Sequence, residues 1–214
     1  MPPEQALAAV LSDKSRFGQL LIQRTSSDGF AVCHREDEQA VGLKIFRKPE
    51  DAIEVARYDD TGKYRPLKTA PNLRHGWRLE VVDLGELRRV LNYFYPGRLA
   101  ALAAWTENQI QATTLRQTLD RQSGMYRIAT KISDEQIDSV VGNFCRSNGG
   151  CLRVILWKRN KDGAVPSAKL PPEKFDSTHD QTGDSETAIP LLCQEACNLL
   201  VNECRKVVKG ETDK

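Results

Sequence analysis

Two apolar runs, QLLIQRT and FAVCHRE, flank a polar SSDG and set the first expectation. Their branched and aromatic content reads as two strands, and Asp28-Gly29 between them as a hairpin turn, because glycine tolerates the positive φ that such turns require. LKIF follows as another extended run. In KPEDAIEVARY, Pro49 suits a first helical turn and Ile53 and Ala56 share a face. The same logic repeats: WRLEVVD is a strand, and LGELRRVLNYFYP is an amphipathic helix that should stop before Pro96. Residues from about 16 to 95 are therefore expected to form a small α+β unit, one sheet covered on one face.

GRLAALAAWTEN is rich in Ala and Leu and reads as a connecting helix. Beyond it come a short helix, TTLRQTLDRQSG, with Gly124 as its stop, and a strand candidate, YRIATKI. Ser133 and Gln136 match a capping box opening the helix SDEQIDSVVGNFCR, which puts Cys145 at a helix C-terminus. Cys151 heads a strand, CLRVILWKR. A long polar stretch separates that strand from a final helix, PLLCQEACNLLVNECRKVVK. The expected class is α+β, with a small α+β docking domain over 1–104 and a mixed helix and strand domain over 105–210 that the cysteines below make an iron-sulfur cluster-binding domain.

Composition narrows the function classes. The chain has 214 residues, enough to bury a core without disulfides, and a formal net charge of +2, which implies no nucleic-acid partner. No basic segment precedes a long apolar run, and nowhere do about 18 apolar residues follow one another, so neither a leader nor a membrane span is expected. The expectation is a cytoplasmic protein, in which six cysteines are thiols or metal ligands rather than disulfides.

Four of those cysteines form a pattern. Five residues separate Cys145 from Cys151, forty-one then intervene, and three separate Cys193 from Cys197. On a helix, positions i and i+4 lie about 40° apart around the axis, so Cys193 and Cys197 are expected to project from one face. Cys193, in the first turn after Pro190, would sit at the positive end of the helix dipole, which favours thiolate. Two glycines in RSNGG allow close wrapping around an inorganic core. An iron-sulfur cluster, tetrahedral zinc and plain packing all fit such residues, although zinc sites favour short C-x2-C knuckles, absent here. Cys33 and Cys204 read as packing residues.

Other chemistry is sparse. Arg116, Arg121 and Arg127, with Gln122, Ser123 and Tyr126, offer donors for carboxylates such as those on a tetrapyrrole rim, or form an ordinary polar helix and turn. KLPPEKF, with Lys169, Pro171, Pro172 and Lys174, is a stiff flap or a spacer. His34, His75 and His179 are scattered and show no ligand spacing. No phosphate loop, nucleophile elbow or dinucleotide fingerprint is present, and no catalytic constellation is recognised.

The cysteine spacing resembles that of the sirohaem-dependent sulfite and nitrite reductases. A wider resemblance rests on YRPLKTAPNLRHGWRLEV, LNYFYPGRLAALAAW, TLRQTLDRQSGMYRI, NFCRSNGGCLRVILWKR and IPLLCQEACNLL. These look like the stabilising and iron-sulfur modules attached to certain sirohydrochlorin-chelatase-like proteins, here without the chelatase-like part. The resemblance implies a four-iron four-sulfur (4Fe-4S) cluster on Cys145, Cys151, Cys193 and Cys197, and a place in sirohaem or related tetrapyrrole metabolism. Two functions follow as expectations: an electron-transfer accessory serving a redox partner or a separate chelatase-like protein, or a tetrapyrrole-binding or catalytic subunit acting beside the cluster. A structural four-cysteine zinc protein is the third reading.

Overall fold

The structure is a computed structural model, and it describes residues 1–56, 73–110, 131–141, 154–155, 187–189, 191–193 and 197–210. Strands β1 (Lys14–Phe17), β2 (Leu20–Arg24) and β3 (Phe30–His34) form an antiparallel meander. Two further strands, β4 (Lys44–Phe46) and β5 (Trp77–Val81), extend it, with β5 antiparallel to β3 and β4 parallel to β5. Helices α1 (Pro3–Val10), α2 (Ala52–Val55), α3 (Leu84–Phe94) and α4 (Arg98–Thr106) accompany this sheet. In the C-terminal half, α5 (Asp134–Val140) packs on α6 (Asn198–Lys209), and β6 (Val154–Ile155) pairs in parallel with β8 (Leu192–Cys193). The remaining strand, β7 (Thr187–Ile189), runs parallel to β1 and completes a six-stranded sheet in the order β4-β5-β3-β2-β1-β7. The fold is α+β.

Alternation explains the main core. Leu20 and Ile22 of β2, Phe30 and Val32 of β3, and Trp77, Leu79 and Val81 of β5 point to one face. There they meet the stripe Leu87, Val90, Leu91 and Phe94 on α3 and Leu99, Leu102 and Ala103 on α4. Trp77 stacks on Phe94 with centroids 5.2 Å apart, and Phe17 meets Tyr95 edge-on at 5.2 Å. Such pairs add about 0.5–1.5 kcal/mol each beyond area burial. The Tyr95 hydroxyl accepts from the Gln19 amide at 2.9 Å, so its buried oxygen is not stranded. Gly18, at φ +65°, makes that approach possible, because a Cβ there would collide with the Tyr95 ring. Cover is not confined to one face as expected: Leu21, Ala31 and Cys33, which point the other way, are buried too.

Two local expectations change. In the hairpin it is Asp28, not Gly29, that takes the left-handed conformation, at φ +60°. Aspartate tolerates that region, whereas Gly29 is needed because a Cβ would lie 2.5 Å from the Val81 carbonyl oxygen on the neighbouring strand. In α2, a tight turn over Pro49–Asp51 precedes the helix and shifts its phase, so Ala52, Val55 and Ala56 are buried while Ile53 is exposed. The helix ending at Phe94, with Tyr95 as its cap, stops before Pro96 as expected. Asp83 caps its start by accepting from the Glu86 amide at 2.8 Å.

The two halves share one core. Ile189, Leu191 and Leu192 belong to the same apolar cluster as Phe17 and Leu102, and Arg98 on α4 donates to the Leu192 carbonyl at 3.0 Å.

Candidate metal centre

Cys193 closes β8, and Cys197 is the residue that caps α6. The expected single helix carrying both cysteines is therefore corrected: the helix begins at Asn198, and Cys193 is in an extended strand paired with Ile155. The reason is tertiary. Leu191 and Leu192 are drawn into the N-terminal core and the backbone of Leu192 and Cys193 into a strand ladder, which outweighs the helical pattern of the local sequence. The positive end of the helix dipole therefore lies at Cys197 and not at Cys193. Cys197 sits at the N-terminus of a twelve-residue helix with extended backbone, φ −68° and ψ 161°, and its side chain makes no capping hydrogen bond. Its sulfur stands at the end of the helix that carries the partial positive charge of the first-turn amides. Cys193 is buried and Cys197 half-buried.

Those two residues suit an iron-sulfur cluster: one sulfur donor is shielded on a strand, the other is partly open at a helix start. Cys204 and Cys33 contrast with them. Cys204 is fully buried one face along α6 with Leu200 and Val201, and burial, reinforced by Glu203 and Cys197, pushes its thiol up to about 11. Burial likewise pushes Cys33 up to about 11, with Asp37 and Glu38 adding and Arg78 opposing. Both stay protonated near neutrality, as packing residues do.

The capping box is present: Ser133 accepts from the Gln136 amide through Oγ at 3.3 Å, and Gln136 Oε1 accepts from the Ser133 amide at 2.9 Å. Cys145, Cys151, Arg116, Arg121, Arg127, Gln122, Ser123, Tyr126, His179 and the KLPPEKF segment lie outside the described residues.

Residues 107–206 match the family model described as a 4Fe-4S iron-sulfur cluster binding domain, and residues 4–109 match the DR2241 stabilising domain. Together the two matches run along nearly the whole chain, an N-terminal segment similar to that stabilising domain followed by one similar to that cluster-binding domain. The latter match supports a cluster as the cofactor and gives no support to zinc on the four cysteines. Among solved structures, DR2241 from Deinococcus radiodurans resembles it at 24% identity and a TM-score of 0.63, over 97% of this chain and 41% of that one. It is described as a multi-domain protein with structural similarity to chelatases and two additional novel domains. The likeness is one of fold, and the chain spans about two-fifths of that relative's length. No curated protein sequence matches the chain. Among the described residues no helix is long and apolar enough to cross a membrane.

The sequence reading missed one constellation. His34 and His75, taken as scattered, have ring centroids 3.9 Å apart, with Glu36 and Asp37 beside them. Burial, and next the neighbouring His75, lower the His34 pKa to about 4; Arg35 acts the same way, against Glu36 and Asp37. No spacing rule could have found a pair brought together by the pairing of two strands, one ending at His34 and the other beginning just after His75.

Proposed function

We propose that this chain is an electron-transfer accessory that holds a 4Fe-4S cluster on Cys145, Cys151, Cys193 and Cys197. The observation that carries the reading is the pairing of Cys193, shielded at the end of β8, with Cys197 at the start of α6, inside the matched cluster-binding segment. The segment that follows Cys151 supplies β6, which pairs with the strand ending in Cys193. When bound, such a cluster supplies one-electron redox chemistry at a potential set by charge, hydrogen bonds and burial. The chain's own contribution is to fix the ligand-bearing strand: Arg98 holds the carbonyl beside Cys193, and the N-terminal core holds Leu191 and Leu192. Half-burial of Cys197 leaves one side open to a redox partner.

A cytoplasmic place in sirohaem or related tetrapyrrole metabolism, with a separate chelatase-like protein as partner, fits the chelatase similarity described for the Deinococcus relative. The test is the anaerobically purified chain. About four iron and four sulfide per chain, with a brown colour bleached by dithionite, are expected. A colourless chain without iron sinks the reading. Saturable binding of sirohydrochlorin that Arg121→Ala weakens would shift the role from electron transfer to tetrapyrrole binding.

A further inference from the structure

At the opposite side of the chain's chemistry, β3 ends in His34 and β5 begins just after His75. The antiparallel register, with Cys33 opposite Arg78, brings these residues together across forty-one positions of sequence. The turn Arg35–Asp37 then folds Glu36 back over the pair. One ligand atom from each of His34, Glu36 and His75 lies within 4.8 Å of the others, and His75 Nε2 is 3.8 Å from Glu36 Oε2. We propose that His34, Glu36 and His75 form a binding site for a borderline divalent metal ion of the zinc class, distinct from the cysteine centre.

The chemistry of the three side chains suits that ion. Nitrogen and oxygen donors sit about 2.0–2.2 Å from zinc, so tetrahedral ligand atoms stand roughly 3.4 Å apart. The observed separations close to that by small rotations of Glu36 and His75, whose side chains are half or more exposed, around a fixed and buried His34. Three protein ligands leave a fourth position for water.

Asp37 completes the arrangement. Its Oδ1 lies 3.3 Å from His75 Nδ1, and its Oδ2 accepts from the Gly76 amide at 2.7 Å. A proton on His75 Nδ1 donated to that buried carboxylate leaves the Nε2 lone pair on the side of Glu36. This is how a carboxylate orients a ligating histidine. His34 must give something up, because its Nδ1 accepts from the Glu36 amide at 3.2 Å. Either Nδ1 lends that lone pair to the ion, or Nε2 passes its proton to Nδ1 and binds instead. Both routes release the amide and leave the ring neutral, so ion binding is coupled to the Arg35–Asp37 turn.

The alternative is an ordinary pair of stacked histidines held by carboxylates. Equilibrium dialysis of the full, anaerobically purified chain against zinc chloride separates the two. The proposal expects one bound zinc per chain, a zinc X-ray absorption spectrum with nitrogen and oxygen neighbours only, and roughly 100-fold weaker binding in His75→Ala. Glu36→Gln, on an exposed side chain, should weaken binding in the same direction without touching the core. Zinc binding unchanged in both variants, a sulfur neighbour in the spectrum, or no bound zinc would overturn it. Iron and sulfide content in the same samples reports the cysteine centre separately.

Discussion

Cys193 and Cys197 lie on one short segment, four positions apart, whereas His34 ends one strand and His75 precedes the neighbouring one, forty-one positions away. The cysteine segment owes its shape to the rest of the molecule: its strand leans on a core built by the first hundred residues, and its helix begins only at Asn198. The histidine pair owes its existence to sheet register and a turn of three residues. The Cys193 and Cys197 pair is set by local spacing and then braced. The other is assembled by the brace itself. The stabilising domain is thus expected to affect the cluster through packing, and to carry chemistry of its own.

The sharpest test of this contrast exchanges single side chains. Cys193→Ser or Cys197→Ser should abolish or nearly abolish iron and sulfide content, while Cys33→Ser, Cys204→Ser and His75→Ala leave it intact. Loss of iron in His75→Ala would merge the two regions and break the contrast.

Acid acts on the histidine region next. In the metal-free chain the folded His34 ring titrates near 4 and the unfolded one near 6.5, so the unfolded chain binds the proton first. Its contribution is full above about 6.5 and is lost as pH falls toward 4, on the order of 3 kcal/mol. Urea midpoints between pH 7 and 4 measure this, with His34→Gln flattening that part of the profile. Glu36, Asp37, Arg35 and His75 face the same ring and set the shape of the curve.

Arg98→Ala addresses the brace. Removing the guanidinium that donates to the Leu192 carbonyl should cost about 2 kcal/mol, and should speed iron loss to a chelator several-fold without changing iron content at the outset. If Arg98→Ala destabilises the chain but leaves iron release unchanged, the cluster segment does not depend on this contact. Ser133→Ala, which removes half of the capping box on α5, is expected to cost only about 1 kcal/mol and to leave zinc and iron untouched.

Most of the N-terminal half was legible in the residue pattern. β2, β3, β5 and α3 follow from alternation, from a 3.6-residue stripe and from Pro96, each a local signal that the tertiary structure agrees with. Where local signals failed, the cause was a distant partner. The stretch around Cys193 has a helical pattern but pairs with Ile155 and packs against the core, and Gly29 is required by Val81 rather than by its own turn. α1 and β1 were passed over: α1 has only a short apolar stripe, and β1, KSRF, is brief and polar at three of its four positions. The histidine constellation lay beyond reach because register across a sheet is not written in spacing.

The parallel pairing of β7 with β1 has a consequence for synthesis. Phe17 meets Ile189, so one edge of the sheet waits for a strand made 172 residues later. At ribosomal rates of about 5–20 residues per second, the delay is roughly 10–30 s. During that interval β1 presents its open backbone to any extended segment nearby, a hazard for nascent chains. The N-terminal sheet is therefore finished only when Thr187–Ile189 arrives, and assembly of the two halves is a single late event.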